Sequence, residues 1–172
     1  MKKSIVICLL LTISVTGFSQ QANHRYEKGY GGNVAVGIAA GYGFTGMLTT
    51  SHGYNFGNGV FLGAGTGVMT NLYDVIDIPL FTHLRYSFIP KKVSPFIGAK
   101  AGITYFLGRF GLGLTLSPEI GINIGKVSLG LGYMFERFDG GSIKIDYAVG
   151  YPVTVRSRYN IHWLNFTVSY DF

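Results

Sequence analysis

The sequence predicts an all-β fold, an eight-stranded antiparallel transmembrane up-and-down β-barrel that follows a cleaved signal peptide. Three observations predict it. Apolar residues alternate with small or polar ones along almost every segment beyond residue 28, which is the period of a strand whose two faces meet different surroundings. The composition sets 26 Gly, 13 Phe and 12 Tyr beside only 13% charged residues, an unusual balance for a solvated surface. No later segment offers the roughly 20 consecutive apolar residues that a spanning helix needs.

The elements follow in order. Lys2 and Lys3, the apolar run from Ile5 to Val15, and the small residues Gly17 and Ser19 read as a secretory signal peptide over residues 1–19, leaving residues 20–172 as one barrel domain. Cys8 lies inside the apolar run, so the exported chain would hold no cysteine and would depend on hydrogen bonding and packing. Strands are expected over Gly29 to Tyr42, Met47 to Phe56, Val60 to Thr70, Ile78 to Ile89, Pro95 to Leu107, Leu112 to Ile124, Val127 to Arg137 and Ile161 to Phe172. Asn58-Gly59, Pro90-Lys91-Lys92 and Gly125-Lys126 supply tight turns, because such residues tolerate positive φ or stop a ladder. The one long link, Phe138 to Asn160, could form a hairpin reaching past the membrane.

Alternation alone does not say which face looks outward. On the sixth strand Leu112, Leu114, Leu116, Ile120, Ile122 and Ile124 oppose Gly113, Thr115, Ser117, Glu119, Gly121 and Asn123. The second face suits the cramped interior of a narrow barrel better than a solvated exterior, so the aliphatic face is assigned to lipid. Arg85, Lys100 and Glu119 all fall on the small-residue face. Opposed residues straddle a hairpin turn equally. Pairing Lys100 with Glu119 centres one turn on Arg109 and Phe110, and pairing Arg85 with Lys100 centres another on Lys92 and Val93. Arg85, Lys100 and Glu119 are therefore expected to form one interior charge cluster.

Setting Lys2 and Lys3 aside leaves 12 basic against 8 acidic residues, a balance of +4, with the basic residues scattered rather than interleaved with aromatics. No nucleic-acid binding is expected. Catalytic, cofactor and metal sites are expected to be absent. Ser51 and His52 are adjacent, so on a strand they point to opposite faces and do not form a nucleophile and base. His24, His52, His83 and His162 have no metal-ligand spacing, and the glycine-rich run Gly63 to Gly67 follows strand periodicity rather than opening a helix. Arg137, Lys144, Arg156 and Arg158 stand on the expected outer rim, where they could contact lipopolysaccharide phosphates or simply be solvated.

Phe166, Val168, Tyr170 and Phe172 share one face of the last strand, and this pattern resembles the assembly signal of outer-membrane barrels. The segments TTSHGYNF, FLGAGTGV, IPLFTHLRYSF, SPFIGAKAG and SPEIGINI resemble successive strands of the small OmpA/OmpX-like proteins, including the "outer membrane protein beta-barrel domain" group. The resemblance implies a monomer in the bacterial outer membrane, in contact with its lipid and lipopolysaccharide and inserted by the barrel assembly machinery. It also implies a non-enzymatic envelope or surface-interaction role carried by the extracellular loops. A narrow channel or small-solute transporter is the alternative, and a lipid A-modifying enzyme a third reading. Lipid A deacylase barrels carry a His and a Ser two residues apart on an outward face, whereas Leu164 follows His162 here.

Overall fold

The computed structural model describes residues 24–41, 43–71, 76–107, 111–146 and 151–172, with backbone alone for 24, 71, 139–146 and 151–157. A 3-10 turn, His24–Tyr26, precedes eight strands: β1 Lys28–Ala40, β2 Phe44–Phe56, β3 Val60–Asn71, β4 Ile76–Ser87, β5 Val93–Phe106, β6 Gly111–Ile124, β7 Val127–Asp146 and β8 Tyr151–Asp171. Each pairs antiparallel with its sequence neighbours, and β1 pairs with β8 from Asn33↔Asp171 to Ala40↔Leu164 to close the barrel. Within the closed wall each strand has a hydrogen-bonded neighbour on both sides, so its backbone donors and acceptors are satisfied without a solvent partner.

One end, the turn end, holds the 3-10 turn, Phe172 and the links around Gly57 to Gly59, Phe88 to Lys92 and Gly125-Lys126. The opposite, hairpin end carries the β7–β8 extension. Gly59 at the turn end has φ +84°, and a Cβ there would lie 2.3 Å from the Ser87 carbonyl oxygen. Its own carbonyl accepts the Ser87 amide at 2.8 Å, so this turn is stitched to the end of β4 through a position where a side chain would be strained.

The expected alternation holds in space. Val34, Val36 and Ile38 are exposed on the outside of β1 while Ala35 and Ala39 are buried inside, and Leu114, Leu116 and Ile120 oppose buried Ser117 and Glu119 on β6. Two features differ from the sequence expectation. The stretch expected as a link, Phe138 to Asn160, does form the hairpin it was expected to allow, but as a direct continuation of β7 and β8, whose ladder runs on through Phe138↔Tyr159 and Asp139↔Arg158 to Asp146↔Tyr151. The registers around β5 also differ by two residues: Arg85 opposes Gly98, His83 opposes Lys100, and Glu119 opposes Gly98. The β4–β5 link sets the first of these, because the Phe88 amide donates to Pro95 O at 3.0 Å and the Ile89 amide to Ser94 Oγ at 3.1 Å. A shift of two preserves the face of every side chain, which is why parity held while pairing moved.

Candidate functional site

The lumen is filled in three levels, and each draws its side chains from several strands. At the turn end Arg25 enters from the 3-10 turn, with Nε donating to Asp171 Oδ2 at 2.8 Å, Nη1 to Gly125 O at 2.6 Å and Nη2 to Ser128 Oγ at 3.1 Å. Arg85 reaches the same carboxylate from β4, its Nη1 lying 3.3 Å from Asp171 Oδ1, while Nη2 donates to Ser128 Oγ at 2.5 Å and to Asn123 Oδ1. Its guanidinium lies 3.9 Å from the centroid of the Phe96 ring. One carboxylate on β8 thus holds two buried arginines, an arrangement that depends on all its partners being present. Burial lowers the Arg25 pKa below its ordinary value, the Asp171 carboxylate raises it, and the Arg85 charge lowers it.

In the middle level Lys100 Nζ lies 3.1 Å from Glu119 Oε2, His83 Nε2 lies 3.4 Å from Glu119 Oε1, and Ser51 Oγ is 2.9 Å from His83 Nδ1. A single layer of Arg85, Lys100 and Glu119 was the sequence expectation. Lys100 and Glu119 meet, but Arg85 makes its ion pair with Asp171 a level lower, because the two-residue register shift slides β4 along β5. Ser51, His83 and Glu119 stand in the order of a nucleophile, base and acid. Chemistry there has no room for a substrate: Ser51 is 0% and His83 1% exposed, and the Phe61 and Phe81 rings meet the imidazole edge-on.

At the third level, toward the hairpin end, Met47 opposes Met69 across β2 and β3, and Met134 opposes Trp163 across β7 and β8. Trp163 Nε1 donates to Glu136 Oε2 at 3.0 Å, and the Thr104 and Thr115 hydroxyls share a hydrogen bond of 2.6 Å. The Phe106 and Phe138 rings, 5.0 Å apart, lie beyond. Among the described residues no group of three His, Cys, Asp or Glu side chains is placed to hold a metal.

Outside, an apolar belt surrounds the barrel, with Leu114, Ile120, Leu131 and Leu164 each more than half exposed. Among the described residues no Asp, Glu, Lys or Arg faces outward between the levels of Lys28 and Arg137. Aromatic clusters rim both edges. At the turn end Tyr30 Oη lies 2.5 Å from His52 Nδ1, and the Phe172 ring is 5.7 Å from that imidazole. At the other edge His162 bonds Tyr133 and packs 5.3 Å from Phe135. Phe166, Tyr170 and Phe172 face outward and Val168 is half-buried beside them, with the Phe172 backbone exchanging hydrogen bonds of 2.9 and 3.1 Å with Gly32. Arg137 and Arg158 are exposed at the hairpin end, where Arg137 opposes Asn160 and Arg158 opposes Asp139, while Lys144 opposes Val153 and Arg156 opposes Gly141 farther along the same ladder.

Sequence reasoning placed Asn123 and Ser128 on the inward face without giving them partners, and it did not single out Arg25, Ser51 or His83 as lumen residues. His83 shares the parity of Phe81 and Arg85 and was legible as inward-facing. Arg25 precedes the first strand, so no periodicity could place it.

A closed barrel with an uncharged apolar exterior and a packed polar lumen is a transmembrane β-barrel. No protein-family model and no curated protein matches the chain. Solved structures do. The chain is similar to the de novo designed TMB2.3, at 17% identity and a TM-score of 0.52 over 84% of this chain and 96% of that one. A structure described as de novo design of transmembrane beta-barrels matches at 12% identity and a TM-score of 0.50, over 90% of this chain and 100% of that one. Neisserial surface protein A (NspA) aligns at 17% identity and a TM-score of 0.48, covering 83% and 96% of the two chains. At these identities the likeness concerns the fold.

Proposed function

We propose that the chain is a non-enzymatic outer-membrane protein whose role in the envelope, or in contact with surface partners, is carried by the β7–β8 hairpin. The observation behind this reading is length: β7 and β8 hold 20 and 21 residues, against 12 to 14 for the other strands. Pairing of β6 with β7 stops at Gly113↔Phe138 and that of β1 with β8 at Ala40↔Leu164, yet β7 and β8 continue to pair to Asp146↔Tyr151. At about 3.4 Å per residue the ribbon from Asp139 to Asp146 projects on the order of 27 Å past the last β6 pair. Among the described residues no strand pairs with its two outer edges.

Arg137, Lys144, Arg156 and Arg158 lie on or beside this ribbon and are the candidates for lipopolysaccharide phosphates. The outward strand bearing Phe166, Val168, Tyr170 and Phe172 is what the barrel assembly machinery would engage, and a monomer suffices for the closed barrel. The packed lumen supports this reading over a channel or transporter. The test replaces residues 139–158 with a short Asn-Gly turn. The barrel should still reach the outer-membrane fraction and migrate heat-modifiably on gels, while binding of purified protein to lipopolysaccharide falls. Unchanged binding, or steady single-channel conductance of the intact protein, would overturn the proposal.

A further inference from the structure

We propose that the turn end of the lumen binds one small monovalent anion, chloride or another halide, beside Arg85 and among the side chains of Asn33, Asn55 and Ser87. The site is independent of the hairpin's role. A cavity of about 20 Å³ lies there, lined by those four residues together with Arg25 and Asp171, and the rest of its lining is glycine and phenylalanine. That volume admits a single occupant of about the size of a water molecule and excludes phosphate or an organic acid.

Charge and donors both point to an anion. Two guanidiniums and one carboxylate line the cavity, which leaves an excess of positive charge. Asp171 is already committed, since its oxygens accept from Arg25 Nε at 2.8 Å, from Arg85 Nη1 at 3.3 and 3.5 Å and from Ser128 Oγ at 3.2 Å. Arg85 has the weaker share of it, and its Nη2 turns to the neutral acceptors Ser128 Oγ and Asn123 Oδ1. Glu119, a level above, is paired with Lys100. The donors around the cavity are under-used. Arg85 is 5% exposed, and its Nε is buried without a hydrogen-bond partner. Asn33 and Asn55 are 6% and 5% exposed, and among the described residues neither side chain has a hydrogen-bond partner. Ser87 Oγ accepts from Asn123 Nδ2 at 3.0 Å, so its own hydrogen remains to be donated. Buried polar groups are rarely left without partners. A water molecule would fill the space without balancing Arg85, whereas an anion accepts from N–H and O–H groups together and offsets the guanidinium charge.

The experiment is equilibrium dialysis of radioactive chloride against the full barrel folded in detergent, in a buffer whose other anion is sulfate. Saturable binding of one equivalent is expected, displaced by bromide and not by added sulfate. Arg85→Lys, which keeps the charge and removes the Nε hydrogen, and combined Asn33→Leu and Asn55→Leu should each weaken it at least about tenfold. Lys91 and Lys92 are exposed at the same end, and Lys91→Gln with Lys92→Gln should leave it unchanged. Should the lysine or leucine variant lose heat-modifiable migration, Asn55→Ala alone serves in its place. Absence of saturable binding, displacement by sulfate as readily as by bromide, equal binding in the cavity variants, or loss of binding in the glutamine variant would overturn the site.

Discussion

The two halves of the lumen are filled by different chemistry. At the turn end, Arg25, Arg85, Asp171, Asn123 and Ser128 form a directional network in which Ser128 Oγ and the Asp171 carboxylate each serve both arginines. At the hairpin end, three methionines line a cavity, and Trp163 packs against their cluster and donates one hydrogen bond to Glu136. The polar half ties together β4, β6, β7, β8 and the segment before β1, so it specifies how the cylinder closes. The sulfur-rich half adapts to whatever space remains.

The largest break in this contrast is Asp171→Ala, which leaves two buried arginines sharing no carboxylate. A loss of about 3–5 kcal/mol is expected, read as a lower urea midpoint in detergent or as failure to migrate as a folded band. Leu131→Arg tests the outside at mid-belt. It should cost roughly 2–4 kcal/mol in folding into lipid bilayers, and a neutral result would remove the lipid assignment of that face.

Gly32→Ala probes the seam between β1 and Phe172. A Cβ at Gly32 would sit 2.7 Å from Phe172 Cε2, so the ring must move, and a loss of about 1–3 kcal/mol is expected. The same urea titration measures it, and Phe172→Ala in the Gly32→Ala background should then add little. The smallest effect belongs to the adaptable half. Met69→Leu conserves volume and should change stability by less than about 1.5 kcal/mol, read from the same urea titration. A large loss there would show the hairpin half to be as tightly specified as the turn half.

How much was legible follows from particular residues. Leu112 to Ile124 announced its outward and inward faces because a strand repeats every two residues, and the same arithmetic placed Arg85, Lys100 and Glu119 inside. It could not pair them correctly. The turn centre rests on contacts such as Ser94 Oγ to the Ile89 amide, and displacing it by one residue moves the register by two. The projecting ladder of β7 and β8 was partly hidden because glycines 140 and 141 look like a turn in a list of residues, yet they pair with Ser157 and Arg156.

The sequence by itself determined that strands form, that eight of them alternate, and which side chains share a face, since these follow from local periodicity and composition. Tertiary structure alone decided that Arg25 reaches Asp171 from a segment outside the strands, that Ser51 finds His83 instead of its neighbour His52, and that three methionines scattered along the chain line one cavity. The physical reason is closure. Bending a sheet into a cylinder brings residues together across the lumen according to register and stagger, and these are set by turn contacts and by the β1–β8 seam rather than by any local pattern.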